Sequence, residues 1–294
     1  MQLFNGYCPA IITPMNSSGT KINFDKFREL INFQIENGAK AIVFLGTTGE
    51  PSTLSDKEKI EVIKFAVGEV GGRVPVIAGA GSNCTKTAIN LVRKYEELGV
   101  DGILSVTPYY NKCTQFGLIK HYEEIAKSTS LPIILYNVPS RTGVNMLPET
   151  VLKLSKVPNI VGLKEASGNI EQIMKIIKIV DDNFSVFSGD DALTYSILAI
   201  GGKGVISVAG NIIPDKMNRL CESFFNGNIE RSRIIQLELL DFIKALFIEV
   251  NPIPIKMALN LAGFKVGGLR LPLTSIQKEN QQKLKNEMKI LNLI

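Results

Sequence analysis

An α/β chain built as a (β/α)8 barrel, the TIM-barrel architecture, with a helical extension at its C-terminal end is predicted from three features of the 294-residue sequence. Short apolar runs alternate with longer segments of helical period, there are eight such runs, and they are apolar throughout rather than at every second residue. Uninterrupted apolar runs mark strands buried on both faces, as in a parallel sheet wrapped by helices. An open doubly wound sheet is the competing arrangement, but eight units without a glycine fingerprint after the first strand argue against it.

The strands are expected at residues 8–13, 41–45, 74–78, 102–107, 132–137, 160–164, 185–189 and 203–208. Between them apolar residues return to one helix face: Ile60, Ile63, Val67 and Val70; Ala88, Leu91, Val92, Tyr95 and Leu98; Ile170, Ile173, Met174, Ile177 and Val180. Ser55 and Glu58 have the spacing of a capping box at a helix start. After Asn226 no further strand is predicted. Segments 229–247, 253–262 and 274–291 read as helices beside the barrel, bounded by Pro252, Pro254 and Pro272. The expected organisation is a barrel over residues 1–226 and a helical region over 227–294.

Composition narrows the function. Hydrophobic residues make up 45% and charged residues 21%, enough for a large core. The net charge of +5 comes from scattered lysines, and where they cluster, at 278–289, they alternate with Glu and Gln as on a solvated helix. No basic patch with interleaved aromatics suggests nucleic-acid binding, whereas a weakly positive surface suits small anions. Cys8, Cys84, Cys113 and Cys221 lie far apart with no CxxC pair, which fits a reducing cytoplasm. No apolar run is long enough to span a bilayer, and residues 1–6 carry no basic region ahead of an apolar stretch, so a soluble, unexported protein is expected. His121 is the single histidine, and its charged neighbours Lys120, Glu123 and Glu124 predict a solvated helix surface. Proton transfers then fall to Tyr, Lys, Asp, Glu or the substrate.

Lys164 ends the apolar run 159–164, between Pro158 and Gly168. Desolvation there favours the neutral amine, the nucleophile of Schiff-base chemistry on a carbonyl substrate. In a barrel the active site lies at the carboxyl ends of the strands. Those ends also carry Gly46-Thr47-Thr48-Gly49-Glu50, then Tyr109 and Tyr110, then Tyr136 and Arg141, and finally Gly189-Asp190-Asp191. Singly, each has an ordinary explanation: a tight turn, a core-edge tyrosine, a solvated loop charge, a structural lysine. Their placement on one rim makes a site the stronger reading. For Glu165, Asp190 and Asp191, capping or ion-pair roles are expected, with no metal and no cofactor.

These segments resemble the pyruvate-dependent class I aldolase and lyase superfamily, and within it the 4-hydroxy-tetrahydrodipicolinate synthase family. The resemblance runs from Ala10-Ile-Ile-Thr-Pro14 to Asn251-Pro-Ile-Pro254 and Leu269-Arg-Leu-Pro272. The 46–50 loop, the strand-five tyrosine and the strand-six lysine are shared superfamily-wide. Tyr109-Tyr110 and Asn137-Val-Pro-Ser-Arg141-Thr-Gly143 are more particular to the synthases. The resemblance implies pyruvate bound as an imine on Lys164 and L-aspartate 4-semialdehyde as the second substrate. It further implies a proton relay of Tyr136, Thr47 and Tyr110, the last reaching into a neighbouring subunit. It assigns substrate binding to Thr48, Arg141, Gly189 and the Ile206 carbonyl, and a homotetramer built as a dimer of dimers.

N-acetylneuraminate lyase and keto-deoxy sugar acid aldolases share the imine on the same scaffold, and Arg141 favours a short carboxylated aldehyde over theirs. A catalytically silent keto-acid-binding barrel is the reading from another class. Lysine-inhibited relatives bind the effector near the helix after the 46–50 loop. This chain keeps Asn83 and Tyr109 there but departs at Pro51, Asp56, Lys59 and Thr87, which implies weak or absent lysine inhibition. Cys113 replaces a common proline, with local loop effects expected.

Overall fold

The computed structural model describes residues 3–294; Met1 and Gln2, where the sequence reading of the N-terminus begins, lie outside them. Eight strands form one parallel sheet: β1 (Gly6–Pro9), β2 (Ile42–Phe44), β3 (Val76–Gly79), β4 (Gly102–Val106), β5 (Ile133–Asn137), β6 (Ile160–Glu165), β7 (Ser185–Ser188) and β8 (Gly204–Ser207). Each consecutive pair from β2 to β8 is hydrogen-bonded, and β1 pairs with β8. The remaining gap between β1 and β2 is bridged by Ala10 against Val43, with Ile11 N donating to the Val43 carbonyl at 3.0 Å. The sheet thereby closes into the expected (β/α)8 barrel.

The intervening helices are α1 (Phe24–Glu36), α2 (Asp56–Val70), α3 (Thr85–Glu97), α4 (Gln115–Lys127), the short α5 (Pro139–Thr142), α6 (Pro148–Leu154), α7 (Ile170–Ile179), α8 (Thr194–Ala199) and α9 (Pro214–Phe225). Three more follow: α10 (Ile229–Ala245), α11 (Ile253–Leu261) and α12 (Lys278–Ile290). The Ser55–Glu58 capping box forms at the start of α2 as its spacing predicts.

The alternation of side chains along the strands separates two cores. Ile134 and Tyr136 point into the barrel with Cys8, Val43, Ile77, Leu104, Phe187 and Ile206. Ile133 and Leu135 point outward into the layer between sheet and helices. Phe4 stacks on Phe187 with ring centroids 4.3 Å apart, filling the interior. The barrel is therefore solid below its mouth, and only the carboxyl-end rim can receive a ligand.

Most boundaries shift by one or two residues, and two move further. β1 starts and stops earlier than residues 8–13, because beyond Ala10 the backbone bonds to a side chain: Ile12 N donates to Asn211 Oδ1, and Asn211 Nδ2 donates to the Ala10 carbonyl, both at 2.9 Å. The last helix begins at Lys278 rather than 274, since Gln277 N is held by Glu249 Oε1 at 2.9 Å and Gln277 is extended at the helix cap. His121 is a correction. It is buried on the inner face of α4 beside Leu118, Tyr122 and Ile125, with Nδ1 2.9 Å from Thr85 Oγ1. Burial pulls its pKa down to about 4, so it is neutral and structural rather than solvated.

Candidate active site

Register brings the first two groups together. Tyr136 of β5 is the direct neighbour of Lys164 on β6, and Lys164 is in turn the neighbour of Phe187 on β7. In-register residues on parallel neighbours share a face, so the lysine rises between two aromatic side chains. Lys164 is only 4% exposed, and its Nζ lies 4.5 Å from the centroid of the Tyr136 ring. Among the described residues no carboxylate forms an ion pair with it. Cys8, which also faces the interior, is kept a neutral thiol because burial pushes its pKa up. Gly189 leaves room for the lysine arm: a Cβ there would sit 3.1 Å from Lys164 Cε and 2.7 Å from Ala166 Cβ.

The loop after β2 supplies the opposite wall. Thr47–Gly49 form a 3-10 turn bracketed by Leu45 and Glu50, both in the left-handed region at φ 54° and 55°. Such backbone is uncommon outside glycine and needs support from its surroundings. Support comes from the C-terminal segment. Glu50 forms a fully buried ion pair with Lys256 of α11 at 2.8 Å, and Lys256 also donates to the carbonyls of Gly268 at 2.5 Å and Thr13 at 3.3 Å. Burial pulls the Lys256 ammonium down while the Glu50 carboxylate pushes it back up. Thr48 Oγ1 accepts from Asn251 Nδ2 at 2.9 Å, and Arg141 Nη2 donates to the Asn251 carbonyl at 3.3 Å. One residue thus touches both predicted substrate-binding side chains.

These groups line a cavity of about 390 Å3 that includes Thr47, Thr48, Tyr136, Arg141, Lys164, Gly189, Asp190 and Asn251, with Ile243, Lys244 and Phe247 closing it from the α10 side. An adjoining cavity of about 290 Å3 shares Thr47, Tyr136, Val138 and Arg141 and extends to Tyr109 and Lys59. Lys59 pairs with Asp56 at 3.1 Å. Of the residues predicted from sequence, Ile206 is fully buried in β8 opposite Cys8 and lines neither cavity through its side chain. Tyr110 also lines neither; it is 90% exposed at φ 71° on the loop after β4. Among the described residues no hydrogen bond joins Thr47, Tyr136 and Lys164, which share the cavity wall.

The acidic neighbours are held by hydrogen bonds. Glu165 accepts from Asn137 Nδ2 at 3.0 Å and from Ser167 N at 2.7 Å, and burial raises its pKa. Asp191 accepts from Ser207 Oγ at 2.5 Å and from the amides of Val208 and Ala209. Asp190 Oδ1 accepts from Ala192 N at 2.9 Å. Two of them cap turns, as expected, and none forms an ion pair among the described residues. No group of His, Cys, Asp and Glu able to hold a metal occurs among those residues. Sequence reasoning missed Asn251 and Lys256 as parts of the site. The run Asn251-Pro-Ile-Pro254 stood out only as a marker of resemblance, and nothing local reveals that it folds back over the 46–50 loop.

A closed (β/α)8 barrel whose carboxyl-end mouth holds a buried amine beside a tyrosine has the form of the pyruvate-dependent class I aldolases and lyases. The Dihydrodipicolinate synthetase family model matches residues 3–291, and the chain belongs to that family. The 4-hydroxy-tetrahydrodipicolinate synthase of Alkaliphilus oremlandii is 52% identical over 292 residues, spanning 99% of this chain and 100% of its own length. The solved dihydrodipicolinate synthase of Thermotoga maritima aligns with a TM-score of 0.97 at 43% identity over 100% of both chains. The Acinetobacter baumannii enzyme, solved with pyruvate, aligns with a TM-score of 0.96 at 39% identity, again over 100% of both chains. No helix among the described residues is long and apolar enough to cross a membrane.

Proposed function

We infer that the chain catalyses the 4-hydroxy-tetrahydrodipicolinate synthase reaction, condensing pyruvate with L-aspartate 4-semialdehyde in lysine and diaminopimelate biosynthesis. The observation that carries the reading is Lys164: a buried strand-end amine, in register with Tyr136, facing a cavity that also holds Arg141.

In this reading the neutral Lys164 amine attacks the pyruvate ketone, and the resulting carbinolamine loses water to give an imine. The imine nitrogen draws electrons, a methyl proton leaves, and an enamine forms. Its carbon adds to the aldehyde, whose oxygen takes up a proton. The amine of the semialdehyde then closes on the imine carbon and releases Lys164. Tyr136 and Thr47 carry protons to and from these centres, since hydroxyls both donate and accept. Tyr110, exposed on its own chain, is read as completing the relay in a second copy. That role favours a dimer contact at the least, within a homotetramer built as paired dimers, working in the cytoplasm.

The pyruvate carboxylate is assigned to Thr48 and the backbone amides opening its turn, donors that do not neutralise the lysine. Arg141 is assigned to the carboxylate of the second substrate, where its planar fork can bind in bidentate fashion. Gly189 and the Ile206 carbonyl are assigned to the remaining wall.

The test is turnover of pyruvate with L-aspartate 4-semialdehyde, coupled to a reductase that consumes the product. Lys164→Ala should abolish it, and Tyr136→Phe should lower kcat by roughly 10²–10⁴. Arg141→Lys should chiefly raise KM for the aldehyde, because a point charge lacks the fork. Preference for N-acetylmannosamine over the semialdehyde would overturn the reading.

A further inference from the structure

The strand that carries Lys164 is the one that breaks the regularity of the sheet. Against β5, Ile160 pairs with Ile133 but Gly162 pairs with Ile134, so Val161 is an extra residue with no partner of its own. Among the described residues this is the only register shift in the sheet. Such bulges are rare between parallel strands and gather next to active sites, where they redirect side chains.

The extra residue decides which face the lysine occupies. In a regular strand, residues two apart share a face. Val161 packs in the barrel interior, yet Leu163 packs outside, between sheet and helices, as does Ile160. Counted in twos from Ile160, Lys164 would lie among the helices and Leu163 in the interior. The bulge absorbs one residue and restarts the alternation at Gly162. Lys164 thereby faces inward, in register with Tyr136 and Phe187 of the interior core.

We infer that the Val161–Gly162 bulge turns Lys164 into the barrel, and that Gly162 is a positioning residue for the reaction proposed above, on whose assignment this role depends. A Cβ at position 162 would sit 2.6 Å from the Ser185 carbonyl oxygen of β7 and 3.5 Å from Phe187 Cε2. The first contact is with the main chain of the neighbouring strand, which cannot swing aside as a flexible side chain can. A methyl group at 162 therefore opposes the bulge, and the register that holds Lys164 gives way.

Deletion of Val161 offers a rescue. Without it, Ile160, Gly162, Leu163 and Lys164 alternate regularly, keep their pairings with β5 and need no bulge. The experiment follows the rate of borohydride trapping of pyruvate on Lys164 in wild type, Gly162→Ala, the Val161 deletion and the two changes combined, with circular dichroism to report folding. Gly162→Ala should slow trapping about tenfold or more, since small misplacements of a reacting group are costly. The combined variant should recover most of the lost rate, whereas a glycine needed only for stability would leave it worse than either change alone. Trapping at the wild-type rate in Gly162→Ala, or no recovery in the combined variant, overturns the inference. If Gly162→Ala does not fold, the combined variant decides: folded and trapping supports the bulge, unfolded or silent overturns it. A trapped wild type with an unslowed Gly162→Ala sinks only the bulge, whereas an untrapped wild type sinks the function beneath it.

Discussion

Lys164 meets an aromatic face and a glycine where many buried lysines meet a carboxylate. The burial of this residue was legible from its strand-end position alone, whereas its register with Tyr136 is a property of strand pairing. His121 shows the opposite failure. Its charged sequence neighbours suggested solvent, yet Leu118 and Ile125 fall three and four residues away on the same face and signalled burial. The consequence is measurable. The unfolded chain takes up a proton on His121 near pH 6.5 and the native chain only near 4, so stability falls as pH drops through that window and is unaffected above it. Between pH 6.5 and about 5, the loss due to this residue should be roughly 2 kcal/mol, and His121→Gln should remove that part of the slope in denaturant titrations.

At the scale of elements, the 46–50 loop depends on contacts made by residues two hundred positions away. The strands and the capping box of α2 were readable because their signals are local: apolar runs and a three-residue spacing. The buried Glu50–Lys256 pair and the Asn251–Thr48 bond were not, since each joins groups separated by more than 200 residues. Replacing only one member leaves an uncompensated buried charge. Lys256→Met should therefore cost about 3–5 kcal/mol, and the double variant Glu50→Gln/Lys256→Met should recover part of it. Chemical denaturation of the single and double variants measures this; equal losses in both would show that the unpaired Glu50 carboxylate carries no penalty of its own.

For the whole molecule, the barrel places a solid apolar interior beneath a polar rim, so the groups proposed as catalytic, at the ends of β2, β5 and β6, line one cavity. The closing wall is supplied by α10 and the turn at Asn251, a region the sequence described only as helices beside the barrel. That view was incomplete because helical periodicity shows which face is apolar, not which element it covers. Tyr110 belongs to this scale as well, since the relay proposed for this 90% exposed residue requires a second copy. The most direct measurement of the central claim is reduction of the protein with borohydride in the presence of pyruvate, followed by peptide mass mapping. The account predicts one pyruvate-derived adduct on the peptide containing Lys164, absent from Lys164→Ala. Full turnover with that peptide unmodified, or an adduct on another lysine, would contradict it.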